Sequence, residues 1–199
     1  MEVKLEKRYP VAASLAQAWA VLSDVRATAA CMPGATITEE VDATHFKGTV
    51  KSKIGPAVMQ FGGEITVLAL EPERHALQLL AKGADKAGSS AQMNLSAHLE
   101  AGDDVASSVL VGAAVVTVSG KLAQFGSRLL VPVSDAMLGQ FADNFRAAAA
   151  AVPAPPPAGA TGAAPEAASA PAPQQAHELN VLALAWTVIK SWFAGLFGR

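Results

Sequence analysis

Residues 91–100, Ala91-Gln92-Met93-Asn94-Leu95-Ser96-Ala97-His98-Leu99-Glu100, alternate without a break. Odd positions are apolar and even positions polar, which predicts a strand with one dry and one wet face. From Gly120 the period changes. At about 100° per residue, Leu122, Phe125, Leu129, Leu130, Val133, Met137 and Phe141 share one face. Lys121, Gln124, Arg128, Asp135 and Arg146 occupy the other. This predicts one long amphipathic helix running towards Ala150, with Pro132 expected to kink or divide it. A one-sided sheet followed by a one-sided helix can bury both apolar faces by curling the sheet around the helix.

The rest of the first 150 residues supplies that sheet. Val3, Leu5 and Lys7 alternate with charged neighbours as an edge-like strand that Pro10 should end. Ser14 is a suitable N-cap for an apolar helix over Leu15–Leu22, and a second short helix runs from Val25 until Met32-Pro33-Gly34 stops it. Thr44–Ile54 alternates Phe46, Val50 and Ile54 against Lys47, Lys51 and Lys53, and Gly55-Pro56 turns the chain. Met59, Phe61, Ile65 and Val67 continue the period of two, followed by Leu77 and Leu79. Gly102-Asp103-Asp104 is a turn, and Val105–Val118 reads as a long apolar strand.

Of the 199 residues, 51% are hydrophobic and 16% charged, so a sizeable core is expected. Up to Val152 the chain has 13 Lys and Arg against 15 Asp and Glu, and beyond it 2 against 2. Neither part has the cationic excess that nucleic-acid binding requires. The charged, alternating start has no apolar h-region, so a cytoplasmic body without a secretory signal is expected. A single cysteine, Cys31, excludes an internal disulfide framework.

Residues 151–177 are rich in Pro, Ala, Gly and Ser, the composition of a disordered linker. Residues 178–199 then form an apolar, broadly amphipathic segment carrying Leu182, Trp186, Ile189, Trp192, Phe193, Leu196 and Phe197. About 19 helical residues make ~28 Å, just short of a ~30 Å hydrocarbon core. The segment reads as a membrane-anchoring helix, lying in the interface or barely spanning, with docking into a protein groove as the alternative. It has no polybasic cluster, so its attraction to anionic lipid should be weak.

Several ordered pieces of the body resemble the G-subunit family of carbon monoxide dehydrogenase, within the START/Bet v 1-like (SRPBCC) superfamily. They are Trp19 with Ser23-Asp24, Cys31-Met32-Pro33-Gly34, Lys53-Ile54-Gly55-Pro56 with Phe61-Gly62-Gly63, and Gly83-Ala84-Asp85 to Ala91. The longest is Gly120 to Leu130, with Gln140-Phe141 and Asn144-Phe145. The resemblance implies an α+β helix-grip fold, a curved antiparallel sheet wrapped around a long C-terminal helix and enclosing an apolar cavity. A linker and a C-terminal hydrophobic helix are usual after it. It also implies an accessory protein, not an enzyme, that recruits a molybdenum hydroxylase of the CO dehydrogenase type to the cytoplasmic face of the membrane.

Read for chemistry, the sequence offers little. His45, His75, His98 and His177 are scattered, none at metal-ligand spacing, and read as solvated surface residues. Cys31 lacks a placed base and reads as a buried or half-buried thiol. Gly112–Lys121 only superficially resembles a phosphate loop. Glu64 and Asp85 are candidates for a cavity mouth. The cavity itself would be lined by Trp19, Met59, Phe61, Leu77, Leu79, Met93, Leu95, Phe125, Leu129, Val133 and Met137. Small residues expected on the inner face (Ala91, Ala97, Ala113, Gly112, Gly126) would leave it room. The expectation is a membrane-tethered adaptor that binds an apolar molecule, a respiratory quinone or another lipid, with no other cofactor, no metal and no nucleic acid. The alternatives are a pure anchor with a filled core and, less favoured, a hydrolase or cyclase of the same fold.

Overall fold

A computed structural model describes residues 1–54 and 57–154. The linker and tail expectations, and His177, lie outside these residues. Seven strands form one antiparallel sheet in the order β1-β7-β6-β5-β4-β3-β2. They are β1 (Glu2–Val11), β2 (Ala35–Glu40), β3 (His45–Ile54), β4 (Ala57–Glu71), β5 (Ala76–Asp85), β6 (Ser90–Ala101) and β7 (Ser108–Ser119). Helices α1 (Leu15–Leu22) and α2 (Val25–Cys31) connect β1 to β2, and α3 (Lys121–Gln124) and α4 (Gly126–Ala151) follow β7.

Local chemistry sets the helix ends. Ser14 and Gln17 form a reciprocal capping box at α1, Gln17 N donating to Ser14 Oγ (3.3 Å) and Ser14 N to Gln17 Oε1 (3.0 Å). Asp24 caps α2 by accepting from the amides of Arg26 and Ala27. Both short helices are tied to the end of α4. Gln17 Nε2 donates to the Val152 carbonyl (2.6 Å), and Asn144 Nδ2 to that of Cys31 (2.9 Å).

Four expectations are corrected. Pro10 does not end β1; it pairs with Val109. β1 is a sheet edge, and the Pro10 carbonyl accepts from Arg146 Nε on the side away from β7, so its missing N–H is also on the unpaired side. Val105 is not in a strand: it stands 95% exposed in the β6–β7 loop, and β7 starts at Ser108. The final helix divides at Phe125–Gly126, not at Pro132. Gly126 adopts φ +66°, which a side chain would resist, whereas Pro132 lies within α4. Finally, β2 forms a strand where none is expected.

The core has two centres. The larger gathers Val11, Ala18, Leu22, Cys31, Leu77, Leu79, Leu99, Leu110, Phe145 and Ala149, with Phe145 fully enclosed. The smaller gathers Met59, Val118, Leu122 and Leu130 at the start of α4.

Candidate ligand-binding interior

The period of two in β4–β7 decides which side chains look at α4. Ala91, Met93, Leu95, Ala97 and Leu99 of β6 lie opposite Val118, Val116, Ala114, Gly112 and Leu110 of β7, on one face. Leu77, Leu79 and Ala81 of β5 continue that face, as do Phe61, Ile65 and Val67 of β4. Helix α4 answers with Leu129, Leu130, Val133, Phe141 and Phe145.

Burial along this face is uneven. Leu77 and Leu79 are buried at the larger centre, where Trp19, Met93 and Leu95 pack only partly buried. Met59 is buried at the smaller centre, where Phe61, Phe125, Leu129 and Val133 pack partly buried. Met137 is half-buried on α4, its Sδ 3.5 Å from Ser52 Oγ of β3. The eleven candidates therefore fall around two centres, with Met137 against β3. The partly buried ones among these inward-facing apolar residues are not fully covered by their neighbours. Gly112 borders open space, since a Cβ there would meet nothing within 4 Å. Ala113 does not belong to this lining: it is exposed on the outer face, one residue out of phase.

The polar candidates fall elsewhere. Asp85 turns into its own loop, accepting from Ala87 N (2.6 Å) and Ser89 N (3.4 Å). Glu64 lies with Lys82, Gln92 and Thr117 along a shallow outer hollow of about 560 Å³. A second hollow, about 320 Å³, lies between the start of α2 and strands β3 and β4, lined by Asp24, Arg26, Glu40, Phe46, Val67 and Leu70. His45 is exposed beside Asp42, and His98 is half-buried beside Glu100. His75 departs from the solvated reading: it is half-buried, edge-on to Trp19 at 5.5 Å between ring centroids. Cys31 is buried, its Sγ 3.3 Å from the Ala27 carbonyl, and burial pushes the thiol pKa up.

The sequence missed Phe145, the largest fully buried side chain. It also missed that Asp135 and Arg146 are bound to β1. Asp135 pairs with Lys7 (2.9 Å), while Arg146 lies over the Tyr9 ring and donates to the Pro10 carbonyl (2.7 Å).

A curved antiparallel sheet closed by one long C-terminal helix over apolar side chains defines a Bet v 1-like, helix-grip domain. Three solved structures share the fold at low identity. A conserved protein from Geobacillus kaustophilus is 18% identical with a TM-score of 0.67, over 74% of this chain and 95% of that one. The Zhui aromatase/cyclase from Streptomyces sp. R1128 is 15% identical with a TM-score of 0.56, over 75% and 94%. A truncated norcoclaurine synthase from Thalictrum flavum is 16% identical with a TM-score of 0.50, over 73% and 92%. No curated protein matches the chain. The family model of the carbon monoxide dehydrogenase G subunit (CoxG) matches residues 8–150, and the chain belongs to that family.

Proposed function

We propose that this protein is a non-enzymatic accessory protein that carries an apolar molecule between its sheet and α4 and holds a molybdenum hydroxylase of the CO dehydrogenase type at the cytoplasmic membrane. The observation that carries the reading is the half-exposed inner face, above all the open space over Gly112. Close packing disfavours empty apolar space, so a hollow of this kind is suited to a guest. Trp19, Met59, Phe61, Leu77, Leu79, Met93, Leu95, Phe125, Leu129, Val133 and Met137 are the lining we propose. Family membership supports the accessory role. A respiratory quinone fits the chemistry, being apolar, dissolved in the bilayer and able to accept electrons from a redox enzyme. The inward residues of β5–β7 up to Ala81 and between Leu110 and Val118 are apolar, which favours binding over acid–base chemistry.

Residues 151–177 serve in this reading as a leash, and 178–199 as the membrane hook through Leu182, Trp186, Ile189, Trp192, Phe193, Leu196 and Phe197. The leash raises the domain's effective concentration at the surface. Organic extraction of protein purified from its native membrane, followed by mass spectrometry, tests the cargo. A stoichiometric quinone or lipid is expected. Repeated absence of either reduces the protein to a pure anchor. Deleting residues 178–199 should abolish sedimentation with membranes, and vesicle pelleting by the shortened chain would refute the hook.

A further inference from the structure

We infer that the end of the domain formed by the β3–β4 hairpin, the β5–β6 turn and the start of α4 is itself an anionic-lipid docking surface. Through it the interior would be presented to the leaflet. The inference rests on the reading of the domain as a membrane-side carrier, and it names the face that meets lipid.

The charge distribution carries it. Lys4, Lys7, Arg8, Arg26, Lys47, Arg74 and Arg146 each have a carboxylate within 4 Å among the described residues. Lys51, Lys53, Lys86, Lys121 and Arg128 have none among those residues, and all five are exposed. The fold gathers these five at one end. Lys51 and Lys53 lie near the tip of the β3–β4 hairpin, where Lys53 is opposite Val58. Lys86 sits in the β5–β6 turn, and that turn touches the residue before Lys121. A Cβ on Gly120 would collide with the Gly88 carbonyl, and Leu122 N donates to Ser89 Oγ (3.1 Å). Arg128 is in the first turn of α4. A sixth cation, Lys82, lies opposite Glu64 on the outer face. The acids of this end are occupied: Glu2 lies beside Lys4, and Asp85 accepts turn amides. The opposite end is acidic, with Asp24, Glu40, Asp42, Glu71, Glu73, Asp103 and Asp104 in its caps and loops.

Apolar residues accompany the cations. Val58 is 74% exposed beside Lys53, and Val131 is 37% exposed one turn from Arg128. The partly buried Phe61, Phe125, Leu129 and Val133 lie just inside. Unpaired cations around exposed apolar side chains complement a bilayer with anionic headgroups. A soluble partner would have to match the charge and seat the apolar tips as well; a bilayer does both without a fixed shape.

The test uses the full chain, labelled with an environment-sensitive dye at Val58→Cys or at Val105→Cys on the opposite end; the native Cys31 is buried. On vesicles of equal parts phosphatidylcholine and phosphatidylglycerol, emission from position 58 should shift to the blue and that from 105 should not. On phosphatidylcholine alone neither should shift. The quadruple variant Lys53→Glu, Lys86→Glu, Lys121→Glu, Arg128→Glu should lose the shift while still sedimenting through its tail. The corresponding Gln variant, which adds no negative charge, should weaken it. A chain that sediments with no shift at 58, a shift at both positions, or a shift that survives charge reversal overturns the inference. Cargo extraction is scored separately. Bound lipid with no shift at 58 removes only this surface, and a shift with no bound lipid removes only the carrier.

Discussion

Lys7, on the helix-facing side of edge strand β1, reaches across to Asp135 of α4 at 2.9 Å. The hydrogen bond it donates to the carboxylate, reinforced by the opposite charge, holds the lysine pKa above its ordinary value. Together with Arg146 over Tyr9, this pair fastens the helix to β1, one of the two edges of the sheet. Both partners are substantially exposed, so solvent screens the pair. Lys7→Met and Asp135→Asn, combined in a double-mutant cycle followed by thermal unfolding, should show a small favourable coupling that disappears near 1 M salt, where the Debye length falls to about 3 Å. Coupling that survives the salt would mean the contact works by packing and not by charge.

Phe145 is the keystone of the larger centre, 0% exposed and stacked obliquely on Phe141 at 5.9 Å. Phe145→Ala should cost about 3–5 kcal/mol in chemical denaturation, a large part of a typical domain's stability. Phe145→Leu should cost clearly less. A loss under about 1 kcal/mol for the alanine variant would contradict the enclosed position of this ring.

Gly112 offers the sharpest test of whether the interior is hollow. With nothing within 4 Å of an added Cβ, Gly112→Val should leave the melting temperature unchanged or raise it, since a β-branched residue suits a strand. The valine should at the same time reduce uptake of an apolar fluorescent probe. A solid interior gives the reverse pattern, with overpacking costing about 1–3 kcal/mol and no probe bound to either form.

Two surface carboxylates set the expected response to acid. Amide and hydroxyl donors from Thr44, with His45, hold Asp42 well below its ordinary 3.8. Arg8 and then His98 lower Glu100 from 4.5. Because both folded-state values are depressed, the unfolded chain takes up protons first as pH falls. The stabilisation is fully present above about pH 4.5 and is lost on further acidification. Melting temperatures recorded from about pH 6 to about pH 3 should fall, and Asp42→Asn should lower the starting value while flattening the decline. Parallel curves for variant and parent would show that Asp42 plays no part.

How much was legible depended on how strongly each segment repeats. The alternation from Ala91 to Leu99 and the helical stripe from Leu122 to Phe141 are long and consistent, so the sheet, the final helix and the wet and dry faces could all be read. Ala35–Glu40 is short, weakly apolar and largely exposed, and its membership of the sheet comes from pairing with β3. Val105 looked like strand because it is apolar, yet the loop hydrogen bonds between Gly102 and Ser107 hold it out in solvent. Phe145 sits between Asn144 and Arg146 and just before an alanine run, which dilutes the stripe that would have marked it. The candidate interior was harder still, because lining depends on register. Ala113 and Gly112 are both small and adjacent, so they cannot share a face, and pairing with Ala97 puts Gly112 on the inner one.

Pro132 has no amide hydrogen, so the Arg128 carbonyl one turn earlier is without its helical donor. That break in the ladder separates two stretches of α4 with different moorings. Beyond it Ala142, Phe145 and Ala149 are sealed against α1, α2 and the sheet; before it only Leu130 is fully covered. The helix thus has a fixed heel and a looser toe, and the toe is the part resting on the Met59–Leu122 cluster. Any loosening of α4 is therefore expected to begin at the toe, over Met59 and Leu122, and to leave the heel in place.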